Sequence, residues 1–542
     1  MGNSNPQIFR ELKERLTLRN IGIAVIGALI VQVFISIYFN GQIPTPTYVN
    51  YPTPNKLVEV HSKYCDLLVN NNGYENQLCK LNGAGDFMIN WKKWWADVFV
   101  CSSWIIPLGL ILGSVYMLVA DLVQEEKRGT LNFIRLSPQS ARKIFIGKIL
   151  GVPSLVYLTT ALMLPFHLFA GFNGGASIGL LAGWYVSIGS VWFLFSSAAV
   201  LYVLLGGIQA ILTVIAVAYP VCLPLWGINA FAAATINQDE WLTINARESI
   251  SWFGIPVFGS AIGMYAFVTA CCLIASYWAW EALERRYLNP TATAISKTQS
   301  YQVNLCWQIF IAGLVIPLMP RLNYYKFGMI NGFAVMDFIA LALLIPMLLP
   351  SKQALQDWSR YRRERATDKQ PKFWQRELGQ DLLFNDKSPT LLAIAINIGM
   401  AMVLWVPVSL ITFGNLSHGV RFIAGGCLAT SLILIYAALA HLGLFLKVKK
   451  RNLWIAAILG GVMVLPLLGA FVLSPNHAPT GLAAMLLLFS PFAPMGILKL
   501  AGGSILVTFA AQLAIFGILT RQLQRKLQIS GQSQSKELLA QG

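Results

Sequence analysis

Charge is what this sequence has least of. Only 12% of its 542 residues are Asp, Glu, Lys or Arg, against about 25% in a soluble domain. Mean hydropathy is +0.60. Such a chain has too few water-binding groups to cover a soluble fold of its size. Histidine is also scarce: His61, His167, His418, His441 and His477 are scattered along the chain, with no nucleophile–base constellation around them, which counts against a membrane-embedded, lipid-active enzyme. No G-x-x-x-x-G-K-[ST] loop is present. Gly147-Lys148 is followed by Ile149, and Arg142 stands where the first glycine would be. No polar stretch is long enough for a nucleotide-binding domain. If ATP drives this protein, another chain hydrolyses it. The chain is therefore not expected to be an enzyme or to hold a cofactor.

What it has instead is apolar length. A bilayer span needs about 20 mostly apolar residues. Stretches of that kind cover 21–39, 98–120, 149–170, 177–203, 207–228 and 254–280, then 305–320, 327–349, 389–412, 420–446, 453–474 and 504–519. The expected fold is an all-α integral membrane protein of about twelve transmembrane helices in two groups of six, 1–300 and 301–542.

The net charge of +17 could suggest nucleic acid, but its placement reads as topology. With the N-terminus inside, inner segments hold 30 of the 40 Lys and Arg residues, the positive-inside bias of membrane proteins. No nucleic-acid motif accompanies it, so the lipid bilayer is the expected partner. Residues 1–20 mix Arg10, Lys13, Arg15 and Arg19 with Glu11 and Glu14. No small-residue cleavage site follows Phe39, so the first span is expected to stay. Phe9, Leu12 and Leu16 at helical spacing predict an amphipathic helix over 5–19, lying on the inner membrane surface. A plain solvated lead-in is the alternative.

Loop 40–97 is the one sizeable outer segment. It opens with Pro44, Pro46, Pro52 and Pro54 and should begin extended. Cys65 and Cys79 lie in it, and an oxidising compartment permits a disulfide between them. A metal site adding His61 lacks a fourth ligand, and no metal is expected. The other cysteines lie in or beside spans and read as small apolar residues. Trp91-Lys-Lys-Trp94-Trp95 suits the headgroup zone, with half-buried rings and snorkelling lysines.

Two inner loops are long, 121–148 and 351–388, and they fall at the same place in each group of six. Each half also has a polar or Pro-broken outer stretch before its last span, 233–252 and 475–503. Segment 481–490 is too short to cross and is expected to dip in and return, where its backbone must be buried in protein or line a cavity. The parallel layout suggests duplication of a six-span unit; identity between the halves is poor, so topology carries that inference.

Residues 121–151 describe a charged helix leaving the membrane, a break at Gly129, an amphipathic turn with Leu131, Ile134 and Leu136, and a restart at Ser137-Pro138. Gly129 permits a bend where a Cβ would clash, and Lys148 should snorkel at the mouth of the third span. The run Glu125/Glu126, Gly129-Thr130-Leu131, Ser137-Pro138 and Gly147-Lys148 resembles the ABC-2 family of ATP-binding-cassette permeases. Six spans per unit, a short link between the fourth and fifth, and a re-entrant outer segment before the sixth are similar too. Glu284-Arg285-Arg286-Tyr287-Leu288-Asn289-Pro290 is similar to cyanobacterial members. The second half lacks the Gly-Thr signature, and Ser388-Pro389 sits directly at a span start.

The resemblance implies a permease subunit of an exporter in the bacterial plasma (inner) membrane, with both termini cytoplasmic. It implies a lipid-like or amphipathic substrate and separate ATP-binding cassette ATPase subunits. Glu125, Glu126, Gly129, Thr130, Ser137, Pro138 and Lys148 would form the coupling element. One copy or a homodimer would serve. The rival reading is a twelve-span, ion-coupled secondary transporter. Ion coupling usually needs ionisable groups near mid-membrane, and Asp337, His167 and His441 are the candidates. Asp337 is the carboxylate that would line a pathway; a charge there costs about 2.5–3.5 kcal/mol on insertion scales.

Overall fold

The computed structural model describes residues 6–44, 63–69, 75–79, 82, 87–135, 138–207, 209–237, 251–319, 324–366, 376–412, 416–448, 451–473, 481–497, 500 and 502–530. Among these, 12 helices are long and apolar enough to cross a membrane, and the chain is an all-α integral membrane protein apart from one short hairpin. By contacts it divides into two compact units, Met1–Ser249 with Pro256–Tyr287, and Ile250–Ile255 with Leu288–Gly542. The main division lies at 287/288 rather than 300/301, and each unit holds six of the long helices.

The first unit begins with α1 (Pro6–Arg15) and α2 (Leu18–Asn40), separated at Thr17, whose side chain caps α2 by accepting from the Asn20 amide. Then come β1 (Leu67–Val69) and β2 (Glu75–Cys79), an antiparallel pair. Helix α3 (Trp91–Arg128) has 38 residues, about 57 Å at 1.5 Å per residue, against roughly 30 Å of hydrocarbon. It overruns the expected 98–120 at both ends. Trp91-Lys-Lys-Trp94-Trp95 is its first turn and Glu125–Arg128 its last, so loops 40–97 and 121–148 are shorter than the sequence suggests. Short α4 (Thr130–Arg135) and α5 (Ala141–Gly151) follow, then α6 (Ser154–Asn173), α7 (Ile178–Leu204), α8 (Ala210–Asn237) and α9 (Ala261–Leu288). The third long helix thus starts at Ser154, after α5 has ended. Helix α3 packs against α6, α7 and α8. Half of its apolar window is buried, against 17% for α2, which places α3 at the centre of this unit and α2 at its rim.

The second unit runs α10 (Lys297–Val315), α11 (Tyr324–Leu348), α12 (Lys352–Ala366), α13 (Arg376–Phe384), α14 (Leu391–Thr412), α15 (Leu416–Gly443), α16 (Arg451–Val472), α17 (Gly481–Leu487), α18 (Ala493–Gly496) and α19 (Gly502–Ser530). A full capping box at Ser296 and Gln299 starts α10. The long polar segment 351–388 carries α12 and α13 rather than open loop. Helix α15 is the central member, contacting α14, α18 and α19. Helices α17 and α18 are far too short to cross a membrane; they pack on α16 and α15 respectively. Gly425 permits the second contact, since a Cβ there would lie 2.6 Å from the Pro494 Cα.

Candidate functional site

Helical spacing writes two polar stripes. Asp121 and Glu125 lie four apart near the end of α3, and Gln7, Glu11 and Arg15 lie four apart on α1, so each set shares one face. The stripe of α1 turns inward: Gln7 and Glu11 are buried, while Phe9 is 55% exposed and Leu16 is exposed. The expected helix is present over 6–15, with Gln7 and Glu11 turned to the protein, Ile8 and Leu12 half-buried, and Phe9 exposed together with Arg10, Lys13 and Glu14. It packs on α5. Gly151 at the end of α5 makes that approach possible: a Cβ there would lie 2.6 Å from the Glu11 Cβ.

Lys148 of α5 does not snorkel. It is 1% exposed, because carboxylates from two other helices reach it. Its Nζ donates to Glu11 Oε1 at 2.8 Å, Asp121 Oδ2 at 2.8 Å and Glu125 Oε1 at 2.7 Å. Arg15 donates to Asp121 Oδ1 at 2.5 Å. Arg10 reaches Glu11 and Glu125 at 3.1 and 3.2 Å. Three cations thus balance three carboxylates. These carboxylate oxygens lie within 4.8 Å of one another, and the ammonium occupies the position between them. Burial alone would raise the Glu11 carboxyl, but Lys148 and the two arginines outweigh it and hold the group below the ordinary value. Burial likewise opposes the Lys148 ammonium; Asp121 and Glu125 outweigh it and hold that group above the ordinary lysine value.

Beyond this base the loop projects a tip. Gly129 ends α3 in the left-handed conformation, φ +74°, its N–H bonded to the carbonyls of Glu125 and Glu126. Nothing lies within 4 Å of the position of a Cβ. Glycine is required there by its backbone angle and not, as the sequence suggests, by a clash. Glu126, Gly129 and Thr130 are exposed, as is Pro138. The Thr130 hydroxyl donates to the Glu125 carbonyl at 3.1 Å. Leu131 is buried. Leu136 and Ser137 lie outside the described residues. Helices α4 and α5 are braced on α9: from α5, Arg142 pairs with Glu284 and Phe145 meets the Tyr287 ring edge-on, and from α4, Arg135 stands 5.5 Å over the same ring.

The second unit ties its corresponding segments with a different chemistry. Lys297, fully buried at the start of α10, donates from Nζ to the carbonyl of Leu382 at 2.8 Å, to Ser388 Oγ at 2.5 Å and to the carbonyl of Pro389 at 3.2 Å. Its backbone N–H donates to Asp386. Deeper in this unit Asp337, 3% exposed, accepts from Trp307 and Gln308 at Oδ1 (3.0 and 2.7 Å) and from Trp405 at Oδ2 (2.7 Å). It borders a cavity of about 40 Å³ shared with Phe338, Ser409 and Phe422. No cation pairs with it among the described residues. His441 accepts from the Thr390 N–H at Nε2, which leaves Nδ1 to donate to the Ala437 carbonyl at 2.7 Å. In the first unit, both ring nitrogens of His167 are engaged, by Ser103 and Tyr185.

The structure brings Glu125 and Lys148 together, leaves Glu126, Gly129, Thr130 and Pro138 at the tip, and puts Asp337 in the other unit. Sequence reasoning missed Glu11, Asp121, Arg10, Arg15 and Lys297. The four-residue spacings marked the stripes of α1 and α3, but their joint partner Lys148 lies far away in sequence. Cys65 and Cys79 form a disulfide with Cα atoms 5.5 Å apart; His61 lies outside the described residues. Compared with protein-family models, with curated proteins and with solved structures, the chain matches none of them.

Proposed function

We propose that this chain is the membrane-spanning permease subunit of an ABC-2-type exporter in the bacterial inner membrane. Both termini face the cytoplasm. It moves a lipid-like or amphipathic substrate by alternating access, and a separate subunit hydrolyses the ATP. One observation carries the reading: the loop between α3 and α6 has an exposed tip, Glu126 to Thr130, on a base fixed to α1, α3 and α9. A push on that tip moves three elements together, which is the property a coupling element needs. The test is the pair Gly129→Val and Glu126→Lys. Valine disfavours φ +74°, and the reversed charge alters the docking register. Insertion and abundance should stay near normal, while copurification of the ATPase subunit and stimulation of its hydrolysis fall. Asp381→Lys in the second inner segment should do less. Full ATPase binding and stimulation with both first-loop changes present would overturn the reading.

The ion-coupled secondary transporter has one observation in its favour, the deeply buried Asp337 beside a cavity and, among the described residues, without a paired cation. Transport that survives ATP depletion, collapses with an uncoupler and is lost in Asp337→Asn would favour it.

A further inference from the structure

At the end of the first unit that carries the disulfide hairpin, a cup of about 380 Å³ opens beside the start of α3. Lys63, Lys92 and Lys93 line it, with Asn90, Asp97 and Asn237. Its one carboxylate is already engaged: Asp97 pairs with Lys63 at 2.5 Å and accepts from the Tyr64 hydroxyl at 2.9 Å. No ion pair or hydrogen bond of the Lys92 or Lys93 side chain is present among the described residues. Among the described residues the cup thus keeps two positive charges with no carboxylate partner.

The frame around it is built. Asn90 caps α3 by accepting from the Lys93 N–H at 3.0 Å. The hairpin is anchored to the same point, with the Asn90 N–H on the Tyr64 carbonyl and the Asp66 N–H on the Met88 carbonyl, both 2.9 Å. Gly174 lets the end of α6 touch α3, since a Cβ there would lie 2.9 Å from the Ala96 Cα. Gly175, at φ +92°, leaves room for the Lys92 stem, whose Cε would be 2.7 Å from a Cβ. The Lys92 stem therefore runs over Gly175 at the rim of the cup, with the residue exposed.

Aromatic surface adjoins the cup. Trp91, Phe169 and Phe172 are each more than half exposed, and Trp95 packs edge-on against Phe169 with centroids 5.0 Å apart. Indole rings at a helix end mark the membrane interface, and the phenyl rings beside them add apolar surface. The Cys65–Cys79 disulfide puts this end in an oxidising compartment. A cup of lysines at headgroup depth, with exposed rings beside it for acyl chains, fits one ligand chemistry: a phosphate monoanion or diester attached to hydrocarbon.

We infer that Lys92 and Lys93, beside the Lys63–Asp97 pair, hold the phosphate headgroup of an anionic phospholipid-like amphiphile at the outer membrane surface. This names the substrate class of the exporter proposed above and rests on that reading. The aromatic surface favours a lipid over free phosphate, which would need the lysines alone.

The test uses the full chain purified in detergent without any ATPase subunit, so that it stands apart from the coupling experiment. Native mass spectrometry would follow binding of added phosphatidylglycerol and phosphatidylcholine to the wild type and to Lys92→Gln/Lys93→Gln. The expected result is about a tenfold preference for phosphatidylglycerol, falling to within twofold in the variant and unaffected by 10 mM inorganic phosphate. An unshifted thermal midpoint would show that the variant is folded; if it is shifted, the single changes carry the same comparison. Equal binding of the two lipids by the wild type, an undiminished preference in the folded variant, or displacement by inorganic phosphate would each overturn the inference. Full ATPase binding and stimulation in the Gly129→Val and Glu126→Lys variants, alongside an intact lipid preference, would instead count against the permease reading alone.

Discussion

Lys148 and Glu11, 137 residues apart in sequence, meet in a 2.8 Å ion pair with each side chain no more than 2% exposed. The pair fastens α1 to the loop between α3 and α6 that the sequence singles out.

Lys148→Met should be strongly destabilising. It leaves three carboxylates facing one another with only the arginines at their edge. Breaking a buried ion network by removing one member costs about 3–5 kcal/mol. Thermal unfolding in detergent should show a lowered midpoint, and limited proteolysis should cut near α1 first. Lys148→Met combined with Glu11→Gln should recover part of the loss, because one of the stranded charges is then gone.

The pH dependence follows from two opposite shifts. Glu11 is held below its ordinary 4.5, so its contribution is full above that value and is lost as pH falls through the lower folded-state value. Lys148 is held above its ordinary 10.5, so its contribution is full below that value and is lost as pH rises through the higher one. The thermal midpoint should be flat between these limits as far as this cluster is concerned, with an acid limb that flattens in Glu11→Gln. An unchanged acid limb in that variant would show that other carboxylates set it.

Gly151→Ala should separate α1 from α5. The added methyl lies 2.6 Å from the Glu11 Cβ, and helix backbones cannot yield as a flexible side-chain tip can. Overpacking of this kind costs about 1–3 kcal/mol. Hydrogen exchange should report faster opening of α1 with little change in α7.

Asp337→Asn should leave one of the three N–H donors without a good acceptor, since an amide offers one oxygen where the carboxylate offers two. A buried donor left unsatisfied costs about 1–3 kcal/mol. The emission of Trp307 and Trp405, both bonded to this carboxylate, should shift with the loss of their partner. Single-tryptophan variants would read it.

Reduction of Cys65–Cys79 should loosen the hairpin while leaving the long helices intact. A disulfide closing about 15 residues is worth roughly 3 kcal/mol in the chain-entropy model. Circular dichroism should stay helical as exchange protection at Asn90 and Lys93 falls.

The long helices were legible because hydrocarbon thickness imposes a length and a composition that few soluble segments share. The reach of α3 was not. Its first turn carries two lysines and its last turn Glu125 to Arg128, and hydropathy registers such residues as loop although a helix continues through them. The cluster around Lys148 was half legible. Periodicity puts Asp121 and Glu125 on one face, but nothing in a local window says that Lys148 will be drawn in between them. A lysine at a span mouth normally extends to water; this one is withdrawn because α1 brings a third carboxylate over Gly151. Asp337 stood out as a lone intramembrane acid, while its donors Trp307, Gln308 and Trp405 looked like ordinary span residues until the helices were assembled.

In the first unit, the buried lysine belongs to the segment entering the third long helix and its carboxylate partner Glu11 to the segment preceding the first. In the second unit the roles are exchanged: Lys297 begins the first long helix, and the groups that receive it, with Asp386 beside them, precede the third. The two ties differ in what acid can do to them. Protonating Glu11 removes a charge that holds the Lys148 ammonium, whereas the Lys297 ammonium rests on two carbonyls and a hydroxyl that have no charge to lose. Acid therefore loosens the first tie and leaves the second in place.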